Sequence, residues 1–311
     1  MTELAVAVRF LLYLDLMALF GLAAFSLHAL RGRERVSGAL LPLASLVAGT
    51  AFGGALLSLL GLAALAASLA GTGPFALDRE TLDVLLLETS NGAAWQLRMA
   101  ALAVAFVAAW PVRRRGTAMA GAALATLAGG TALASLAWGG HGAAGEGASG
   151  WLRLGADIVH LLAAGIWVGA LFAMLLLLLR PARKIERTHL RVSHRVLAGF
   201  SSLGTLVVGA LVVSGVVNLL GTIGLDGIAA LPAARYGQLL LAKLALFAAM
   251  LAFAAGNRFR LVPRFERAMA AGDHAAALAA LRRSLAMETA CAIAILALVA
   301  WLGTLDPLGA A

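Results

Sequence analysis

Gly155-Ala-Asp157-Ile-Val-His160-Leu-Leu-Ala-Ala-Gly165-Ile-Trp167-Val-Gly169 is the first half of an apolar run that carries an acid and an imidazole into a hydrophobic stretch. At helical spacing, positions 157, 160, 164, 167 and 171 share one face, so Asp157, His160 and Trp167 form a stripe. Gly165 and Gly169 fall on another face, where small residues four apart let a second helix approach closely. An Asp and a His placed below a polar surface need a partner: another side chain, a water-filled cavity, a proton or a metal.

The rest of the chain puts this run in a membrane. Of 311 residues, 62% are hydrophobic and 13% are charged, against roughly a quarter charged in a soluble protein. The formal net charge of +9 does not point to nucleic acid, which needs a solvated basic face; the basic residues sit in short clusters between apolar runs. Cys291 is the one cysteine, which excludes a disulfide within the chain. A spanning helix needs about 20 apolar residues. On that template the sequence predicts an all-α, polytopic bundle of eight transmembrane helices, near 4–30, 38–70, 94–111, 117–138, 151–180, 194–220, 235–256 and 280–303. The first run is too long for a signal-peptide core and reads as a retained helix. Gly53-Gly54 is a candidate bend in the second span, and Thr81 to Leu87 a candidate surface helix.

Orientation follows from the distribution of positive charge. Arg31, Arg33 and Arg35 follow the first span, Arg113 to Arg115 the third, six basic residues from Arg180 to Arg195 the fifth, and six from Arg258 to Arg283 the seventh. These are 18 of the 24 basic residues, all on alternate connections. Both termini are therefore expected outside the cytoplasm. The halves 1–140 and 141–311 would each supply four helices to one integral membrane domain. Trp95, Trp138, Trp151 and Trp301 fall near the outer rim, where amphipathic rings belong.

A charge at the bilayer centre costs about 2.5–3.5 kcal/mol on insertion scales, so ionisable residues within the spans are informative: Asp15, Asp157, His160, Lys243 and Glu288. Lys243 lies on a stripe with Tyr236, Met250 and Asn257, seven residues apart. It is read either as a functional group or as a structural partner of Asp15 or Asp157. His141, Asp157 and His160 together offer two imidazoles and a carboxylate to a divalent transition metal. Met17, Met250, Met287 and Cys291 are soft donors that suit Cu(I), although methionine is also a common apolar filler. A different pairing, His28 with His194 on one side and His141 with His160 on the other, is what a two-haem redox bundle would want.

Several stretches resemble the CopD (PcoD) family of copper-resistance membrane proteins: Asp157 through Gly169, Tyr236-Gly-Gln-Leu-Leu-Leu-Ala-Lys243, Asn257-Arg258-Phe-Arg-Leu-Val-Pro263, and the final helix with Leu281-Arg-Arg-Ser-Leu and Glu288. Gly140-His141 resembles the family's outer-loop histidine motif, and Gly92-Ala-Ala-Trp95-Gln-Leu-Arg98 its third-helix start. The resemblance is most specific over roughly 151–306. The family usually has a basic residue directly before the Phe-Ser of the sixth helix; here Gly199 precedes Phe200-Ser201, with Arg195 a turn earlier.

The resemblance implies copper transport across the inner membrane, from the periplasm, contributing to copper homeostasis and resistance. It also implies a separate periplasmic CopC-like copper carrier as partner. His141, Asp157 and His160 would form the outer entrance, with soft donors deeper. No phosphate-binding glycine-rich motif occurs, so transport would be passive or gradient-coupled, with Asp15, Lys243 and Glu288 as candidate proton carriers. No nucleophile and base stand in a recognisable arrangement, so an enzyme is not expected. The alternatives are a haem-binding redox protein and a non-transporting copper sensor or scaffold.

Overall fold

The computed structural model describes residues 2–36, 41–71, 78–114, 116–139, 147–178, 187–271 and 275–305. Every element among them is helical and none is a strand. The order is α1 (Thr2–Ala29), α2 (Arg33–Val36), α3 (Leu43–Ala70), α4 (Arg79–Leu87), α5 (Ser90–Val112), α6 (Ala118–Ala134), α7 (Gly147–Leu178), α8 (Arg187–Ile223), α9 (Arg235–Gly256), α10 (Val262–Ala271) and α11 (Ala275–Leu302). A 3₁₀ turn, Ser135–Gly139, extends α6; another, Asp226–Ala233, precedes α9; a π-helical turn, Asn257–Leu261, joins α9 to α10. Eight helices are long and apolar enough to cross a membrane, as the apolar runs predict.

Caps explain boundaries that hydropathy places late. The Thr89 side chain accepts the amide of Gly92, so α5 starts at Ser90, a turn before its apolar run. Asp78 accepts from the Thr81 amide at 2.9 Å and starts α4, the short helix expected near Thr81 to Leu87.

The helices α1 and α7 form the centre. α1 packs against α3, α6, α7 and α11, and α7 against α1, α8 and α11. Their contact is made by glycines: a Cβ on Gly21 would lie 2.6 Å from the Gly169 Cα, with the Gly165 carbonyl closer still. The small-residue face of α7 thus does what its spacing predicts. By contrast, α9 leans mainly on α11 and the turns at its two ends, and a cleft separates it from α8.

Two expectations change in detail. The helix α3 runs unbroken through Gly53-Gly54; the pair makes room for Asp15, whose carboxylate oxygens would lie 3.1 Å from a Cβ at Gly53 and 2.7 Å from one at Gly54. Trp95 is not simply a rim anchor, because its indole donates to the Ser58 carbonyl at 2.9 Å and ties α5 to α3.

The arginine clusters also finish helices. The buried Arg35 donates to the carbonyls of Ser26 (3.0 Å) and Leu30 (2.5 Å), capping the end of α1. Arg282 donates to Leu178 at the end of α7. Arg195, the displaced basic residue of α8, pairs with Glu34 at 2.5 Å and so ties α8 to α2. Burial alone would raise the Glu34 carboxyl; the hydrogen bonds from Arg195 and the Arg31 amide outweigh it and hold the group below its ordinary value.

Candidate functional site

A cavity of about 560 Å³ lies at the end of the bundle where both termini emerge, marked by Arg9 of α1 lying over Gly303 just after α11. Its polar lining comes from six helices and includes Tyr13 of α1, Ser58 of α3, Arg98 of α5, Asp157 and His160 of α7, Asn218 of α8, and Tyr236 and Lys243 of α9. The face of α7 that carries Asp157 and His160 looks into this cavity because the glycine face is fixed against α1. Further along the same face, Trp167 is buried and meets Phe200 edge-on, with ring centroids 5.9 Å apart.

Each α7 group has a partner on α8. His160 Nδ1 lies 3.0 Å from Ser214 Oγ. The Ser214 hydroxyl itself donates to the Ala210 carbonyl at 2.5 Å, so it accepts from Nδ1–H. The Nε2 lone pair is left for a ligand, the arrangement that positions metal-binding histidines. Gly215 leaves the imidazole its space: a Cβ there would stand 3.5 Å from His160 Cε1. Asn218 Nδ2 donates to Asp157 Oδ1 at 3.3 Å.

Lys243 lines the same cavity and interacts electrostatically with both Asp157 and His160. It forms no ion pair within 4.0 Å among the described residues. Asp15 is not its partner, since that carboxylate sits on the Gly53-Gly54 step and its Oδ2 is buried without a hydrogen bond among the described residues.

A second cavity, of about 330 Å³ and almost wholly apolar, adjoins the first through His160, Gly215 and Lys243. It fills the cleft between α8 and α9 and reaches Phe247 and Met250. One heptad beyond Met250, Asn257 donates to Glu288 Oε2 of α11 at 2.9 Å. Both residues are buried, and Asn257 Oδ1 has no hydrogen-bond partner among the described residues. The stripe Tyr236, Lys243, Met250 and Asn257 is therefore an interior face, as its spacing predicts.

The other candidates are scattered. His141 lies outside the described residues, and among the described residues no group of three or more His, Cys, Asp or Glu is arranged for a metal ion. Met17 lines the first cavity and Met250 the second, whereas Met287 is 49% exposed and Cys291 half-buried, neither of them on a cavity wall. His28 is exposed at the end of α1, and His194 packs on Phe265 with its Nε2 3.7 Å from Glu266. Neither cavity holds a histidine besides His160 among its described lining residues.

Sequence reasoning passed over Ser214, Asn218, Tyr13 and Arg98. Ser214 and Asn218 are four apart within an apolar run, the same spacing logic that singled out Asp157. Arg98 is read from position as a rim residue, yet it is 6% exposed and donates to Ser135 Oγ at 2.9 Å.

Comparison with known proteins fits this arrangement. Residues 1–151 match the family described as copper resistance protein D-like, N-terminal domain, and residues 194–302 that described as copper resistance protein D. The chain is 44% identical over 305 residues to a copper resistance protein D from Pseudomonas syringae pv. tomato, covering 98% of this chain and 97% of the relative. The similarity thus extends through the first half as well as the second. No solved structure matches. The chain belongs to the copper resistance protein D family.

Proposed function

We propose that this member of the family carries copper across the bacterial inner membrane from the periplasm, with both termini periplasmic and the first cavity as the entrance. The observation that carries the reading is His160. Its imidazole is anchored by Ser214 at Nδ1 and by the Leu211 backbone, and it lines a cavity shared with Asp157, Lys243 and Met17. An imidazole nitrogen, a carboxylate and a thioether suit copper in either oxidation state.

In this reading the ion is the cargo and the chain acts as a carrier rather than an enzyme. Asn218 orients Asp157 and Ser214 orients His160, so the two donors stand ready without rearrangement. Deeper in, Met250 offers a soft donor on the wall of the second cavity. Glu288, buried beside Asn257, and Asp15, sealed against α3, are the candidate proton carriers. Charge distribution supports the orientation, because the arginine clusters occupy the connections at the opposite end. A soluble copper-binding protein of the periplasm would deliver the ion, with His141 in the adjoining connection as a further donor.

Metal analysis and the absorption spectrum of the purified chain test this reading. Copper retained by the wild type, lost in His160→Ala, with no Soret band, supports it. A Soret band, or copper retained equally by His160→Ala, overturns it.

A further inference from the structure

We infer that the first cavity is also an anion site, and that copper enters it together with a carboxylate- or phosphate-bearing ligand rather than as a bare cation. The inference deepens the copper reading and rests on it for the cargo, but its own evidence is charge and geometry.

Arg9, Arg98, Arg153 and Lys243 line the cavity, while Asp157 is the one carboxylate among its described lining residues. A space walled by low-dielectric helices focuses such a field, and the net sign repels an unaccompanied metal cation. Two of the cations have donors to spare. Arg98 is 6% exposed and uses only Nε, which donates to Ser135 Oγ at 2.9 Å. Ser135 in turn donates to Ala132, so the guanidinium is held rigidly from behind. The terminal nitrogens of Arg98 make no hydrogen bond among the described residues and are not sealed from the cavity it lines. That pair is the fork that grips a planar oxyanion in bidentate fashion. Lys243, on α9, likewise makes no hydrogen bond among the described residues and stands where the two cavities meet.

Fork and ammonium thus line one cavity, with Asp157 and His160 in the same lining. A carboxylate or phosphate bound there offsets the cations, and its remaining oxygens complete the shell of a copper ion held by Asp157 and His160. The anion has two possible sources. It enters free from the aqueous mouth, or it is the head group of an anionic phospholipid whose chain lies in the apolar cleft between α8 and α9, which adjoins the cavity at Lys243.

The test uses the full chain in phosphatidylcholine nanodiscs without copper, with labelled citrate and labelled inorganic phosphate as probes. Saturable retention of at least one probe by the wild type, weakened about tenfold or more in Arg98→Gln and Lys243→Gln, is the expected result, since each removes a charge-assisted contact. Arg98→Lys, which keeps the charge and loses the fork, should fall between. Adding phosphatidylglycerol separates the sources. A lipid occupant co-purifies with the wild type more than with Arg98→Gln and displaces citrate, whereas a free anion is retained undisturbed. Overturning results are no saturable retention together with no phosphatidylglycerol enrichment, or equal binding by wild type and both Gln variants. Because copper is left out, failure here leaves the copper reading standing, and failure of copper binding leaves this assay unaffected.

Discussion

Replacing Ser214 by Ala removes the 3.0 Å contact from His160 Nδ1 and leaves the imidazole the Leu211 backbone as its remaining hydrogen-bond partner among the described residues. The fold itself should hardly notice. The hydroxyl's other bond runs to Ala210 within the same helix, and losing such a local bond is nearly neutral for helix stability. The imidazole loses more. A neutral hydrogen bond contributes about 0.5–1.5 kcal/mol net, and Ser214 is 3% exposed, so water is poorly placed to take over as acceptor. Held by the Leu211 backbone alone, His160 would keep its orientation and tautomer less firmly. Partners that orient metal-binding histidines typically matter by about 10- to 100-fold in affinity, so copper binding in Ser214→Ala should weaken by about tenfold or more. Titration of the purified variants against a chromophoric copper chelator reads this directly, with thermal unfolding in detergent as the control for integrity. Ser214→Thr keeps the acceptor and should recover most of the affinity. Unchanged copper affinity in Ser214→Ala, or an equal loss in Ser214→Thr, would refute the argument.

Other consequences follow from contacts outside the cavity. Gly54→Ala places a methyl 2.7 Å from Asp15 Oδ2 and 3.2 Å from both Leu16 and Leu102; overpacking of this kind costs about 1–3 kcal/mol, and adding Asp15→Ala should return most of the lost thermal stability. Arg35→Met removes the cation from three carbonyls at the end of α1 and just beyond it and should lower stability by about 1.5–3 kcal/mol, the range for hydrogen bonds to charged groups, read as a fall in the unfolding midpoint. The Glu34–Arg195 pair gives a pH dependence of known sign. Because the folded carboxyl titrates below its ordinary value, its contribution is present above the unfolded value of about 4.3 and is lost as pH falls through and below it. Glu34→Gln should flatten that part of the stability profile, and a profile as steep as the wild type's counts against the pair.

Membrane class, helix number and the interior stripes were legible because hydropathy and helical periodicity act locally. The glycine face of α7 was readable for the same reason: Gly165 and Gly169 can be spaced on a wheel before their partner Gly21 is known. What stayed hidden was the second helix of each contact. Ser214 and Asn218 have no meaning until α8 is laid beside α7, and Gly53-Gly54 reads as a bend until Asp15 is seen to need its space. Arginine was the most misleading residue. Positive charge near a span reads as topology, yet Arg35 and Arg282 cap helices, Arg195 braces α8 against α2, and Arg98 is buried in the cavity wall. Hydropathy cannot separate these uses, because they depend on which carbonyl or carboxylate lies across the gap. Methionine divides similarly: Met17 and Met250 stand at cavity walls, while Met287 turns outward.

The most direct test of the central claim is copper flux into proteoliposomes holding the full chain, comparing wild type with His160→Ala and Asp157→Asn inserted at equal density and orientation. The account predicts copper entry above protein-free vesicles for the wild type and entry reduced to near that background in His160→Ala. Equal flux in wild type and both variants, or no flux above background in the wild type, would contradict it.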